Sequence, residues 1–385
     1  MLNSENKRYY YDSTGCGASF NAENPYVLQL ITDSLRYWTE EMHVDGFRFD
    51  LATTLCRRKG GFTAESGFLY AVRQDPVLKN VKLIAEPWDV GDGGYQLGWS
   101  EWNDRFRDVV RRFWKGDQYQ TAELASRISG SSDIFNYHNR DIWSSLNFVT
   151  AHDGFCLNDL VSYNVKHNED NRDGTNANWS WNSGEEGETD NPSVVANRRC
   201  RARAIMATLL LSVGTPMLFA GDEFLHTQMG NNNPYCQDNV LTWLCWEAVD
   251  GDDAEFTEFV RRLIALRRKL KIYEKKRFFT GKYGPDGIKD MVWYNENGKE
   301  FADADWYDGN RKALSYCVYR NGRFVLGIYN AGAAETEWKL PLLGRGMKWN
   351  LLLDTSEKFV SRKKIASGGT ITVPAWSVLL FEIKK

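Results

Sequence analysis

Three acidic residues each follow a predicted β-strand, where they could take part in acid and base chemistry. Asp50 and Glu86 end two short apolar strands, and Asp153 comes just after a third strand. Cleavage of a glycosidic bond needs one carboxylate to attack the anomeric carbon and a second, protonated carboxyl group to donate to the departing oxygen. A third acid can stabilise the positive charge that develops on the sugar. The sequence therefore predicts glycoside hydrolysis as the first candidate chemistry.

Arg48 lies two residues before Asp50, so both side chains leave the predicted strand on the same face. A guanidinium group in that position would help to keep the Asp50 carboxylate ionised. Each acid taken singly could instead form a salt bridge or cap a helix. The pair Asp222-Glu223, at a later strand end, could line the same cavity or cap the start of a helix. The sequence leaves these alternatives open.

Strands and helices alternate through the first part of the chain. Apolar spacing predicts helices at about 25–42, 64–73, 104–114, 197–212 and 254–270, and strands at 44–50, 82–86, 100–102, 145–150 and 216–220. Charged strand ends in this alternation are typical of a parallel β/α barrel with its site at the carboxyl ends of the strands. A doubly wound open sheet is the competing arrangement. The polar segment 164–192 is predicted to be a long loop.

The pattern of predicted secondary structure changes at about residue 271. Short alternating strands are separated there by Gly and Pro turns, with no helical pattern between them. We therefore expect a catalytic α/β domain over residues 1–270 and a small antiparallel all-β domain, a β-sandwich, over residues 271–385.

Charge and composition exclude several classes of function. The net charge of -3 and the isoelectric point near 6.1 arise from interspersed charges without a basic stripe, which argues against nucleic-acid binding. The N-terminus lacks the apolar core of a signal peptide, and the most apolar stretch is interrupted by Gly214 and Pro216. We expect a cytoplasmic protein with no membrane role. Histidines and cysteines show no metal-ligand spacing, so neither a metal nor a cofactor is expected.

Three short motifs resemble conserved regions of the α-amylase superfamily of glycoside hydrolases, in order and spacing. They are GFRFDLA (46–52), AEPWD (85–89) and FVTAHDG (148–154). The resemblance implies that Asp50 is the nucleophile, Glu86 the general acid and base, and Asp153 the acid that stabilises the transition state. It also implies that Arg48 and His152 contact the substrate and the nucleophile.

Longer stretches resemble the glycogen debranching enzyme and isoamylase type within that superfamily. They include YYYDSTGCG, SEWNDRFRDVVRRFWKGD, AGDEF and GNNNPYCQDN. The resemblance implies cleavage of α-1,6 branch linkages of glycogen or limit dextrin by a retaining mechanism. The loops that hold Trp88, Trp179 and Trp181 would supply stacking surfaces for sugar rings, although packing is an equal alternative for these residues.

The same resemblance implies an N-terminally truncated chain. The family's first conserved region and its first three barrel strands are not recognisable, so a partial (β/α)8 TIM barrel is expected, with about strands 4 to 8. Two further hypotheses follow. In the first, the chain is an inactive fragment that binds α-glucan, or one half of a split enzyme that needs an N-terminal fragment in trans. In the second, the chain is a related α-glucan transferase.

Overall fold

The computed structural model describes residues 1–58, 61–89, 94, 97–137, 140–251, 253–272, 277–320, 322–359 and 363–384. These residues form two compact units. Unit 1 comprises Met1–Asn103 together with Asp133–Leu146, and unit 2 comprises Asp104–Ser132 together with Asn147–Lys385. Each unit is therefore built from segments that are separated in the sequence.

The secondary structure follows the predicted alternation. The helices are α1 (Pro25–Glu40), α2 (Gly67–Gln74), α3 (Asp104–Lys115), α4 (Thr121–Ile128), α5 (Ser132–Phe135), α6 (Leu157–Leu160), α7 (Pro192–Leu211), α8 (Ala254–Leu270) and α9 (Asp303–Tyr307). The strands are β1 (Gly46–Phe49), β2 (Arg57–Arg58), β3 (Gly61–Phe62), β4 (Lys82–Ala85), β5 (Ser100–Asn103), β6 (Ser145–Asn147), β7 (Thr215–Pro216), β8 (Met291–Tyr294), β9 (Ala313–Arg320), β10 (Arg323–Asn330), β11 (Thr336–Lys339), β12 (Lys348–Asp354), β13 (Lys364–Ala366), β14 (Thr370–Val373) and β15 (Ser377–Lys384).

Helix α1 begins where the sequence predicts it. The Asn24 side chain accepts a hydrogen bond from the Tyr26 N–H at 2.9 Å, and Pro25 occupies the first helical position, where its missing N–H costs nothing. Leu35 is buried in the core of unit 1, and Leu28 and Ile31 pack against that core. The helix therefore packs one apolar stripe against the core of unit 1.

The parallel sheet of unit 1 sets the register of the candidate acids. Strand β1 pairs with β4 so that Phe49 lies opposite Ala85, and β4 pairs in parallel with β5. The two strands approach closely at Gly46, where an added Cβ would lie 2.3 Å from the Lys82 carbonyl oxygen. Only glycine fits at this position, and the residues that follow β1 and β4 are thereby held side by side.

Aromatic side chains fill the core beneath this sheet. The Phe49 ring packs edge-on against Phe68, with ring centres 5.7 Å apart, and packs at a tilt against Trp99, with ring centres 5.0 Å apart. Phe47 also packs against this core. The predicted alternation is confirmed, since the two phenylalanines face the core while Arg48 leaves the opposite face of β1.

Unit 2 contains α7, a helix that is buried along most of its length. Asn191 caps its start, and Pro192 is its first residue. The Trp114 indole N–H donates to the Thr208 hydroxyl at 2.9 Å, which ties α3 to α7. This helix confirms the predicted one, although it begins five residues earlier than about Asn197.

The C-terminal part of unit 2 is antiparallel, as predicted. Its larger sheet has the strand order β13-β12-β15-β10-β9-β8, and β11 pairs with β14 in a second, two-stranded sheet. Trp338 of β11 and Trp349 of β12 are completely buried in the shared core. The two sheets thus form two packed layers, which is the expected architecture of a small β-domain.

Three details of the sequence prediction were wrong. The strands predicted at 145–150 and 216–220 are only Ser145–Asn147 and Thr215–Pro216. Beyond Asn147 the backbone finds a different partner, because the Val149 carbonyl oxygen accepts from the Arg111 guanidinium at 2.7 Å. The β-domain also contains one short helix, α9, which the alternating pattern conceals. The domain boundary after residue 270 stays a prediction.

Among the described residues, no helix combines the length and the hydropathy that crossing a membrane requires.

Candidate active site

Asp50 and Glu86 directly follow the paired strands β1 and β4. Because Phe49 lies opposite Ala85 in a parallel register, these two acids leave neighbouring strands at the same level. The Glu86 N–H donates to the Phe49 carbonyl at 3.0 Å, which continues the pairing by one residue. The sheet therefore brings together two acids that are far apart in the sequence.

Arg48 contacts both acids. Its Nη1 donates to Asp50 Oδ1 at 2.7 Å, and its Nη2 lies 3.2 Å from Glu86 Oε2. The guanidinium group stacks over the Trp102 ring, with the central carbon 4.4 Å from the ring centre. One cation thus bridges the two carboxyl groups from a position fixed by an aromatic face.

The environments of the two acids differ sharply. The Asp50 side chain is 70% exposed, whereas the Glu86 side chain is 9% exposed. Burial raises the pKa of Glu86 to about 6, against the opposing effects of the Leu51 N–H and of Arg48. Two carboxyl groups that differ in this way can divide the work of acid and nucleophile.

The backbone after Asp50 is folded back onto Glu86. Leu51 has a φ of 39°, in the left-handed region that non-glycine residues rarely adopt. In this conformation its N–H donates to Glu86 Oε2 at 2.8 Å, and the next N–H, of Ala52, donates to the Glu86 carbonyl at 3.0 Å. The strained residue holds the Glu86 carboxyl group in one orientation.

A buried ion pair lies close to Glu86 in the sequence. Arg57 binds Asp89 through two hydrogen bonds, Nε to Oδ2 at 2.5 Å and Nη2 to Oδ1 at 2.7 Å. The Asp89 side chain is completely buried and that of Arg57 is 8% exposed. Between Glu86 and Asp89 lies Trp88, which is half-buried, and its contact with substrate stays a prediction.

Unit 2 carries the remaining two predicted site residues. His152 Nε2 lies 3.4 Å from Asp153 Oδ2, and the two side chains are 50% and 66% exposed. Both follow the shortened strand β6. Their participation in one site with Asp50 and Glu86 stays a prediction.

Asp222 and Glu223, for which the sequence left two roles open, both bond to nearby groups of unit 2. The Asp222 side chain is completely buried, accepts from the Leu157 N–H at 2.8 Å and hydrogen-bonds to the Thr150 hydroxyl. Burial raises its pKa to about 7. Asp222 therefore ties two segments of unit 2 together through these hydrogen bonds. Glu223 accepts from the Gly221 N–H at 2.8 Å, so it too bonds to the local backbone.

Trp179 and Trp181 have cations against their rings. The Arg112 guanidinium carbon lies 5.0 Å from the ring centre of Trp179, and that of Arg201 lies 4.4 Å from Trp181. Trp181 also packs against Trp376, with ring centres 5.3 Å apart. The packing alternative therefore has direct support for these two residues.

Sequence reasoning missed Trp102 and the pair of Arg57 with Asp89. Trp102 ends the short predicted strand 100–102, and Asp89 ends the motif AEPWD, so both had a positional signal. Their partners could not be read from the sequence, because each contact joins separate segments. Within the described residues, no group of three or more His, Cys, Asp or Glu side chains is arranged to hold a metal ion.

Comparison with known proteins adds two kinds of relative, although no family model matches the chain. Over an alignment 398 positions long, the chain is 46% identical to the glycogen operon protein GlgX homolog of Mycobacterium tuberculosis, covering 97% of this chain and 55% of that protein. It is 43% identical over 341 residues to the glycogen debranching enzyme of Pectobacterium carotovorum, covering 86% of this chain and 50% of that enzyme.

Over most of its length the chain is therefore homologous to about half of proteins that are named for the glycogen operon or for glycogen debranching.

Solved structures agree on the fold. The type I pullulanase of Bacillus subtilis, complexed with maltose, matches all of this chain and 50% of its own with a TM-score of 0.74 at 22% identity. The pullulanase of Bacillus acidopullulyticus matches 97% of this chain and 42% of its own with a TM-score of 0.69 at 19% identity. The predicted partial (β/α)8 barrel with a C-terminal antiparallel domain is confirmed. The chain spans about half the length of the curated relatives it matches.

Proposed function

We propose that this chain supplies the nucleophile and the acid/base of a retaining hydrolase that cleaves α-1,6 branch linkages of glycogen or limit dextrin. The observation that carries the proposal is the arrangement of Asp50 and Glu86 at neighbouring strand ends, bridged by Arg48 but with opposite exposure. Retaining glycosidases need two carboxyl groups roughly 5 Å apart. The names of the glycogen debranching relatives support the substrate class.

In the first step, protonated Glu86 donates its proton to the glycosidic oxygen while the Asp50 carboxylate attacks the anomeric carbon. The bond from that carbon to the departing oxygen breaks as an ester bond to Asp50 forms. Burial, which raises the pKa of Glu86 to about 6, supports its role as the proton donor. The exposed Asp50 is open to an incoming sugar.

In the second step, ionised Glu86 takes a proton from a water molecule, and the water oxygen attacks the anomeric carbon. The ester bond breaks and Asp50 becomes a carboxylate again. Arg48 offsets the negative charge at the moments when both carboxyl groups are ionised. We assign stabilisation of the positively charged transition state to Asp153, and substrate contacts to His152 and Trp88.

The test is incubation of the purified chain with β-limit dextrin, followed by measurement of reducing ends and released linear chains. Turnover should vanish in Asp50→Asn and Glu86→Gln, each of which preserves the shape of the side chain. The anomer released first, followed by NMR, should be the α form. Release of the β form would contradict the retaining mechanism, and turnover in either variant equal to that of the unchanged chain would contradict the assignment of that acid.

A segment supplied in trans is a further part of this proposal, because the matched relatives are about twice as long as the aligned region. We expect co-expression with the N-terminal half of a relative to raise turnover of the same substrate. Unchanged turnover after stable co-purification of the two chains would argue against a split enzyme.

The alternatives are separable by their products. A transferase would lengthen some chains while the number of reducing ends stays constant, which chain-length analysis detects. An inactive glucan-binding fragment has no support from relatives that are named debranching enzymes. A cytoplasmic location, tested by cell fractionation with an antibody against this chain, completes the proposal.

A further inference from the structure

A cavity of about 490 Å³ and a second of about 300 Å³ lie within unit 2. The smaller one opens in the C-terminal β-domain. It is lined by residues of β8, β9 and β10 together with the segments 283–289 and 342–347. Its walls contain none of the residues assigned to catalysis. It is therefore a separate candidate site.

Aromatic side chains form the floor of this cavity. Tyr294 and Val292 lie two residues apart on β8, and Val292 is directly opposite Cys317 on β9. Tyr319 lies opposite Phe324, with ring centres 4.6 Å apart. Residues that are opposed across strands or two apart along a strand share one face, so all five side chains project from the same side of the sheet.

The mouth of the cavity combines exposed apolar surface with fixed polar groups. Tyr283 is 70% exposed and Leu342 is 74% exposed, so apolar surface is open to solvent at the rim. Lys289 Nζ lies 2.6 Å from Glu300 Oε2 and 5.4 Å from the centre of the Tyr283 ring. A donor, an acceptor and an aromatic face thus lie next to each other.

We propose that this cavity, which we call the β-domain site, binds a segment of a linear α-glucan chain, and the choice of glucan as the ligand rests on the proposed function. A sugar ring has an apolar C–H face for the tyrosine rings and hydroxyl groups for the Lys289–Glu300 pair. A wholly apolar ligand would cover that ion pair without replacing its bonds to water, at a cost in free energy. The volume lies at the lower end of the range for small-ligand pockets, so one or two sugar rings would occupy it.

A glucan chain held at this site would keep a branched particle attached while the catalytic site releases one branch and meets the next. The gain is one of effective concentration, because a second contact on the same polymer is intramolecular. The site should therefore matter for glycogen and leave the turnover of a short branched oligosaccharide unchanged.

The experiment is an NMR titration of the full chain with maltohexaose, observing the labelled methyl groups of Ile288, Val292, Leu343 and Met347. These signals should shift with maltohexaose and stay unchanged with cellohexaose, which differs in the glycosidic linkage. Tyr283→Ala should weaken the affinity about five- to tenfold. Tyr307→Ala is the matched control, because Tyr307 is 82% exposed in the same domain but does not line the cavity.

Pocket signals that stay unchanged at saturating maltohexaose would overturn the proposal, as would equal losses in the two tyrosine variants. Shifts that depend on protein concentration in the absence of sugar would assign the cavity to a second copy of the chain and overturn it too. The catalytic proposal is judged separately. If the chain debranches its substrate while the methyl signals of the cavity do not shift, only the β-domain site is refuted. If these signals shift with maltohexaose but no debranching occurs, only the catalytic assignment is refuted.

Discussion

The guanidinium carbon of Arg48 lies 4.4 Å from the centre of the Trp102 ring. Trp102 is 8% exposed, so this contact between a cation and an aromatic face is largely screened from water and is worth about 2 kcal/mol. The ring fixes the Arg48 cation, which reaches both Asp50 and Glu86. Trp102 is thereby a positioning residue for the two acids.

Replacement of Trp102 should test that role. We expect Trp102→Leu to lower kcat by about 10- to 30-fold, since the loss of about 2 kcal/mol leaves Arg48 free to leave the acids. Trp102→Phe retains an aromatic face and should recover most of the activity. Equal losses in the two variants, measured with limit dextrin and after circular dichroism has confirmed folding, would show that packing alone explains the effect.

The pH profile of hydrolysis should fall on its alkaline side near pH 6. In the proposed mechanism Glu86 must be protonated for the first step, and burial raises its pKa to about 6, so we expect activity to decrease as the pH rises through that value. A ¹³C titration of the Glu86 carboxyl group gives the pKa independently of turnover. If the residual activity of Glu86→Gln still decreased over the same pH range, the decrease would be due to another group.

Removal of the Arg48 charge should shift the alkaline side of the pH profile to higher pH. Arg48 lowers the pKa of Glu86 and burial raises it, so Arg48→Met leaves the burial effect less opposed. We expect the titration of Glu86 to shift to higher pH, with a lower maximal rate because Asp50 loses its ion pair. Arg48→Lys keeps the charge but cannot bridge two carboxyl groups. It should bring the pKa of Glu86 back towards its original value but recover less of the maximal rate. An unchanged titration in Arg48→Met contradicts this account.

The ion pair of Arg57 with Asp89 should be costly to break from one side. Asp89→Asn leaves a guanidinium group that is 8% exposed without its carboxylate, a change that destabilises by about 3–5 kcal/mol. The double variant Arg57→Met, Asp89→Leu should recover much of this loss because neither charge remains. Urea denaturation of the two single variants and the double variant measures the coupling. Additive losses would mean that the two residues do not stabilise each other.

Asp222 should make stability fall as the pH rises. Its pKa in the folded protein, raised to about 7 by burial, exceeds its ordinary value of 3.8, so the folded state holds a proton that the unfolded state releases. Stability is therefore fully present below about pH 4 and decreases up to about pH 7. Asp222→Asn should flatten this part of the profile, measured as the free energy of unfolding at several pH values. An unaltered slope would exclude Asp222 as its source.

The sequence predicts the elements of this protein better than their contacts. Two phenylalanines alternating with Arg48 and Asp50 were enough to place the acid at a strand end and the arginine on the same face. The bridge from Arg48 to Glu86 needed the register of β1 with β4, which depends on the close approach at Gly46. Trp181 shows the converse, because only the folded chain reveals that Arg201 and Trp376 already cover its ring.

Asn103 ends β5, and its side-chain amide donates to the Ser145 hydroxyl at 2.9 Å within unit 1. During translation, Asp104–Ser132, which belongs to unit 2, is made before Ser145 and leaves the ribosome ahead of it. Unit 1 can therefore complete its hydrogen bonding only after residue 146 has emerged. A nascent chain that stalls before that point carries both Asp50 and Glu86 on an unfinished sheet, exposed to chaperones and proteases in place of substrate.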